Sequence, residues 1–473
     1  MHCLCHGFGQ ILTIVHSSYG LALGFVALRE QDDRLLLTAV AQINHGGTKA
    51  VIDEEQAVVV AKLNLDAGKK AMDMSDFFAA HSCFKHGISY LRRGHWDKHY
   101  DLSLELFNLA AKCALTNAEH DSLKMLTEQI MQNAKCFEDK FQAISVNVTF
   151  LNWSGSVPAA VELINSTLST LEEALPSTNT LAVTKQYLDN TKTQLSVRSG
   201  DMLLNYPAMT DPSKILAVEL LVKLYGALAL CGDSAALPII SMKVIQMSLV
   251  YGMSPRSPAA FAQYGSWLAT TQGEFEDGYR YAKLSLSLMK QIPSRAHDGS
   301  AMFWSSLTRI YVEPIQSSIV GYHDAYKAHM KSGNTYAVAS AYIYNDLCLW
   351  SGKELNTVVV AMKDTMKESK YVKNVVVPKL TLPMLQIALR LIGQSDVPAP
   401  QQGSVTNALG ESLKEDDITV SYAIHSNTTM FSKLFEALIF RELDEARDAT
   451  EKYYFLRRFE SSSSTPSLFF RRL

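Results

Sequence analysis

In the stretch LRRGHWDKHYDLSLELFNLAAKCA (91–114), His95 and His99 stand four residues apart, and so do Asp97 and Asp101. On a helix that spacing puts each pair on a shared face, so the two imidazoles are candidate ligands of one metal ion. A zinc hydrolase needs a third ligand and a carboxylate nearby as general base. Here Trp96 follows His95, where the His-Glu-x-x-His pattern requires Glu. The same residues also describe the start of an amphipathic helix, with the histidines and Lys98 in solvent and Trp96 and Tyr100 packed inward. The helix reading needs no missing ligand and is adopted; a metal-dependent enzyme using His95 and His99 is the alternative.

Other patterns with chemical content are sparse. Cys3-x-Cys5-His6 has metal-binding residue types but no partners near it in sequence, and Ser82-Cys-Phe-Lys85 matches Ser-x-x-Lys, a pattern of low information. Gly68-Lys69 and Gly352-Lys353 lack both the upstream glycine and the following Ser/Thr of a phosphate-binding loop. No kinase His-Arg-Asp or Asp-Phe-Gly and no Gly-x-Ser-x-Gly elbow occurs. No catalytic residue, cofactor-binding residue or metal ligand is assigned, and no cofactor is expected.

What must position such residues is a helical scaffold. The 473 residues are 47% hydrophobic and 19% charged, ample apolar material for a core. A net charge of −3 gives no footprint for nucleic acid or an anionic membrane. The odd number of scattered cysteines, seven, several of them inside apolar runs, fits free thiols and a reducing, cytoplasmic compartment. The uncharged run ILTIVHSSYGLALGFVAL (11–28) has about the minimum length of a membrane span, but it lacks a basic leader and is interrupted by His16 to Tyr19. It is read as a buried element rather than an anchor.

Leu102, Leu106, Leu109 and Cys113 recur at helical spacing, as do Leu123, Leu126, Ile130 and Ala134. Small or polar junctions near 117, 155, 232, 273 and 333, each followed by an Ala-rich or apolar restart, separate such stripes. Their successive gaps are close to one, two, one and one and a half units of about 38 to 41 residues, the length of a helix–turn–helix repeat. Glycine is expected to supply the left-handed cap at the junctions. YGSWLATTQGEFEDGYRYAKLSLSL (264–288) comes nearest to a tetratricopeptide unit, whereas KNVVVPKLTL (373–382), β-branched and carrying Pro378, reads as a connector.

WDKHYDLSLELFNLAAKCA resembles the Trp-x3-Tyr-Asp-Leu-x-Leu-Glu-Leu segment of the helical region that follows the AAA-type ATPase module in very large microbial signalling proteins. AKLNLDAGKKAM (61–72), PAMTDPSKILAVELL (207–221), SLVYGMSPRSPAAFAQYGSWL (248–268) and KSGNTYAVASAYIYNDLCLWSG (331–352) are similar to the same region in the same order, so the likeness spans roughly residues 57 to 355. The matching positions are Trp96, Tyr100, Asp101 and Glu105, with structural roles expected for all four. The resemblance implies a helical arm that couples an ATPase or kinase module to its input. This chain carries neither module, so it is expected to be either a free-standing scaffold or a fragment of a longer signalling enzyme.

The expectation is therefore an all-α, irregular tetratricopeptide-like superhelix (α-solenoid). Its parts are an N-terminal segment at 1–56, a repeat region at 57–392, a linker or mobile loop at 393–417, C-terminal helices at 418–459 and a disordered tail at 460–473. Its function would be non-catalytic: binding a protein or peptide on the concave face, with an ATPase or kinase module in cis or in trans, and without nucleic acid or membrane.

Overall fold

The computed structural model describes residues 19–24, 26, 30, 33–154, 156–178, 180–231, 235–294, 296–332, 336–371, 376–394 and 433–459. Among them the fold is all-α. Extended pairing is confined to an isolated bridge between Ala208 and Met253. The chain forms two compact units, residues 1–163 and 164–473. The boundary falls inside the stretch expected as one repeat region.

The first unit runs through α1 (Asp33–Gly46), α2 (Glu54–Asp73), α3 (Phe77–Tyr90), the single turn α4 (His95–Lys98), α5 (Tyr100–Thr116), α6 (His120–Asn133), α7 (Phe141–Trp153) and the start of α8 (Val157–Thr170). Part of the N-terminal segment is therefore a regular helix, α1, which packs on α2 through Leu36, Val40 and Ile43. The predicted stripes face the core: Leu106, Cys113, Leu123, Leu126 and Ile130 are all buried.

The second unit continues with α9 (Leu181–Ser196), α10 (Gly200–Leu204), α11 (Pro212–Cys231), α12 (Leu237–Tyr251), α13 (Ser257–Trp267), α14 (Phe275–Gln291), α15 (Asp298–Arg309), α16 (Ile315–Ser332), α17 (Tyr336–Trp350), α18 (Leu355–Tyr371), α19 (Val376–Leu391) and α20 (Leu443–Phe459). Its interior is aromatic: Tyr264 and Tyr281 meet at 5.2 Å between ring centroids, Tyr225 and Trp304 at 5.3 Å, and Phe303 and Tyr322 at 5.3 Å. KNVVVPKLTL is not a connector. From Val376 it is helical, because Pro378 falls in the first described turn, where a missing N–H costs little, and Val377, Leu380 and Thr381 are buried. Residues 372–375, like 395–432 and 460–473, which hold the predicted linker and tail, lie outside the described residues.

The predicted junctions at 117 and 273 fall between helices, and those at 155, 232 and 333 lie outside the described residues. The cap chemistry differs from expectation. Gly273 is left-handed at φ 72°, but Ser75 (φ 64°), Ala118 (φ 58°) and Glu172 (φ 61°) occupy the same conformation with side chains. In each case the residue after the left-handed one donates its N–H five residues back: Asp76 to Ala71, Glu119 to Ala114 and Glu173 to Leu168, at 2.9 Å each. After Gly273, Glu274 donates six back, to Leu268 at 3.0 Å, across the wide π-turn Leu268–Gln272. That following residue is acidic at all four turns, and three of the acids reach a base on another helix. Glu119 meets His81 at 2.9 Å, Glu274 meets Lys192 at 2.7 Å, and Glu173 meets Lys214 at 2.8 Å and Lys243 at 2.6 Å.

Polar contacts between helices recur at about one repeat length. His81 and Glu119 are 38 residues apart, Tyr100 and Asp139 39, Asn117 and Phe77 40, Glu173 and Lys214 41, and Asn345 and Thr381 36. These five contacts link helices about one repeat apart within each unit, as stacked helical repeats do, while others, such as Lys192 with Glu274, span about two. The segment closest to a tetratricopeptide unit shows the tightest helix crossing. A Cβ on Gly278 would lie 2.5 Å from the Gly265 carbonyl oxygen, so α13 and α14 touch backbone to backbone there.

Candidate functional site

The 91–114 stretch begins as a strap on its own unit. The Arg92 guanidinium donates to the carbonyls of Val51 (2.9 Å) and Ile52 (2.6 Å), and Lys98 pairs with Glu54 at 2.8 Å. Gly94, at φ 78°, turns the chain into the single turn of α4. That turn ends at His99, whose φ −133° and ψ 49° leave the helical region before α5 begins. One helical turn joins His95 to His99, whose N–H donates to the His95 carbonyl at 2.8 Å, and the backbone leaves the helical region at His99 itself.

His95 also differs from the solvent-facing expectation. It is half-buried, its Nδ1 lies 2.8 Å from Ser103 Oγ, and its ring stacks on Phe107 at 5.9 Å. The Ser103 hydroxyl donates to the His99 carbonyl at 2.8 Å, which leaves it to accept from Nδ1–H. Burial, with His99 nearby, holds the His95 pKa below the ordinary imidazole value. Among the described residues, no group of three His, Cys, Asp or Glu side chains is arranged to hold a metal ion, so the pair gains no third ligand there. Cys3, Cys5 and His6 lie outside the described residues.

The four family-motif positions are engaged within the first unit. The Trp96 ring packs on Phe107 (5.0 Å) and Tyr100 (6.0 Å). The Tyr100 hydroxyl donates to Asp139 Oδ2 at 2.5 Å and accepts the Lys135 backbone N–H at 2.8 Å, while the Lys135 ammonium sits 4.1 Å from the ring centroid. The Tyr100 hydroxyl in turn holds the Asp139 carboxyl below its usual range. Asp101 is an exposed acid in the first turn of α5, where it complements the helix dipole. Glu105 pairs with Lys69 at 2.7 Å, both side chains being nearly half exposed, so the pair contributes little stability. Trp96, Tyr100 and Glu105 thus contact neighbouring elements of the unit, whereas Asp101 is exposed.

A second cluster was not found from the sequence. His81, buried on α3, points Nδ1 at Glu119 Oε1 (2.9 Å) and Nε2 at Ser122 Oγ (3.4 Å). The overlooked signal is an acid that ends a junction, TNAE, with a histidine 38 residues before it. Elsewhere the buried histidines lack this arrangement. His329 has hydroxyls on both nitrogens, Ser340 at 2.9 Å and Ser300 at 3.4 Å, and burial pushes its pKa down to about 3. His297 is likewise pushed to about 3 by burial and then by the Arg256 guanidinium, which itself pairs with Glu219 at 3.4 Å.

No protein-family model and no curated protein sequence matches the chain. Among solved structures it is similar to a chain of the APC/C hetero-tetramer Cut9–Hcn1, with 11% identity over 97% of this chain and 87% of that one, at a TM-score of 0.34. It is also similar to a chain of Naa15/Naa10 bound to HypK-THB, with 11% identity over 96% and 78% of the two chains, at a TM-score of 0.19. The fold assignment rests on the helices and their junctions, not on these alignments.

Proposed function

We propose that this chain is a protein-interaction scaffold whose stacked hairpins present adjacent helices to a folded partner or peptide. The observation that carries the reading is the one-repeat register of the polar contacts. It supports an irregular stack of helical hairpins, an architecture whose neighbouring helices form continuous binding faces. The use of Trp96, Tyr100 and Glu105 in internal packing supports a structural rather than a reactive role for the motif. The partner class follows from the likeness of residues 57 to 355 to the helical arm of signalling ATPases: an ATPase or kinase module, in cis or in trans, within the cytoplasm.

The test is to map both ends of the transcript and to crosslink the tagged chain in its native cells. A reading frame that continues into a phosphate-binding loop, or a crosslink to a protein that carries one, establishes the regulatory arm. A crosslinked partner without a nucleotide-binding or kinase module removes the signalling assignment and leaves a scaffold of another pathway. ATP hydrolysis by the purified chain alone refutes the assignment of ATPase chemistry to a separate module.

A further inference from the structure

We propose that Ser122, His81 and Glu119 form a nucleophile relay in which Ser122 accepts an acyl group from a small, uncharged, activated carboxylic ester. The proposal rests on the side-chain geometry of His81 and adds a catalytic activity to the scaffold role, against the non-catalytic expectation from the sequence. A carboxylate only accepts hydrogen bonds, so the 2.9 Å contact to Glu119 places the proton of the neutral imidazole on Nδ1. Nε2 is then the bare nitrogen, and the Ser122 hydroxyl at 3.4 Å is its donor. Hydroxyl to imidazole to carboxylate is the order of groups in serine hydrolases, and a 3.4 Å nucleophile–base distance falls among the looser contacts seen before substrate binds.

Two further features suit acyl transfer. Ser122 lies in the first turn of α6, and no side chain caps that helix end. Such a helix start leaves its first backbone N–H groups without intrahelical partners, the type of donor that acyl transfer uses to hold an oxyanion. Ser122 is only half-buried, whereas His81 is 2% exposed and so is fixed in orientation. Glu119 and Asp121 flank the serine and disfavour an anionic acyl group.

In the forward step Ser122 Oγ bonds to the ester carbonyl carbon while His81 Nε2 takes the hydroxyl proton. The carbon–leaving-group bond then breaks, and His81 returns that proton to the departing alkoxide or thiolate. Water, deprotonated by the same nitrogen, then bonds to the acyl carbon, the bond to Ser122 Oγ breaks, and His81 returns the proton to Oγ as the acid leaves. Glu119 acts as a positioning residue that holds the tautomer.

The test uses the full chain with a fluorophosphonate, whose phosphorus takes the place of the carbonyl carbon and whose fluoride leaves with the serine proton. Peptide mass spectrometry is expected to find the adduct on Ser122, absent in Ser122→Ala. Glu119→Gln should slow labelling at least tenfold while its thermal midpoint is recorded alongside. If Glu119→Gln does not fold, His81→Gln is read the same way. An unlabelled Ser122 in the folded native chain, or equal labelling rates in a folded Glu119→Gln or His81→Gln protein, overturns the proposal and leaves His81 as a clamp between hairpins.

Discussion

Glu173 offers the sharpest test of the junction clamps. Its carboxylate is 6% exposed and faces Lys214 Nζ at 2.8 Å and Lys243 Nζ at 2.6 Å, the lysine side chains being 16% and 20% exposed. Burial alone pushes the carboxyl pKa up, yet the two ammonium groups outweigh it and leave the pKa below the ordinary value of 4.5. Glu173→Gln keeps the shape and removes the charge, stranding two ammoniums. Removing one partner of a buried pair costs about 3–5 kcal/mol, and because both lysines reach water we expect about 2–3 kcal/mol. For a unit of this size that is a fall in thermal midpoint of roughly 3–5 °C. A folded pKa below the unfolded one stabilises above the unfolded pKa, and the contribution is lost as pH falls through the folded value. Calorimetric melts from pH 3 to pH 8 should therefore show the wild type and Glu173→Gln separated above pH 5 and converging toward pH 3. A gap that persists undiminished at pH 3, or one below about 0.5 kcal/mol at pH 7, would show that the clamp is not electrostatic.

Three other outcomes are expected. Ala118→Gly should raise the thermal midpoint, by about 0.5–1 kcal/mol in stability, since it relieves a Cβ at φ 58° against a smaller gain in unfolded-chain entropy; a fall in midpoint contradicts the cap assignment. Gly278→Ala should destabilise by about 1–3 kcal/mol through overpacking against the Gly265 carbonyl, as read by urea titration, and an unchanged midpoint would mean that α13 and α14 do not touch there. Asp346 accepts the Trp350 indole N–H at 2.8 Å, and burial raises its carboxyl pKa to about 6. Its contribution is fully present below the unfolded pKa and is lost as pH rises through about 6. Asp346→Asn should thus stabilise at pH 7, on the order of 1 kcal/mol, with no gain at pH 4, as read by paired melts at the two pH values.

Much of the architecture was legible because helical periodicity is local. The spacing of Leu106, Cys113, Leu123, Leu126 and Ile130 alone identifies buried faces, and small polar runs mark where helices must stop. The signals that failed were those in which tertiary context overrides propensity. Val376 and Val377 favour a strand in isolation but are helical where Val377 meets the core. Ser75, Ala118 and Glu172 give no sequence hint of a left-handed turn, because surrounding hydrogen bonds impose it. His95 and His99 do close one helical turn, but nothing in the sequence announces that the helix stops at His99 or that His95 packs on Phe107. The His81 cluster was invisible for another reason: its parts are 38 residues apart, and only the period of the stack brings them together.

That period also governs how the chain finds its fold. A contact between residues 36 to 41 positions apart closes a loop of one repeat, whatever the total length of the polypeptide. The entropy of loop closure grows only with the logarithm of loop size, so each new hairpin meets about the same modest cost as the one before it. Contacts this local predict rapid folding for so long a chain, starting at any well-formed pair of hairpins and spreading to its neighbours. The salt clamps at the junctions then act as checkpoints on that growth, because a hairpin docked one turn out of register leaves an acid without its base.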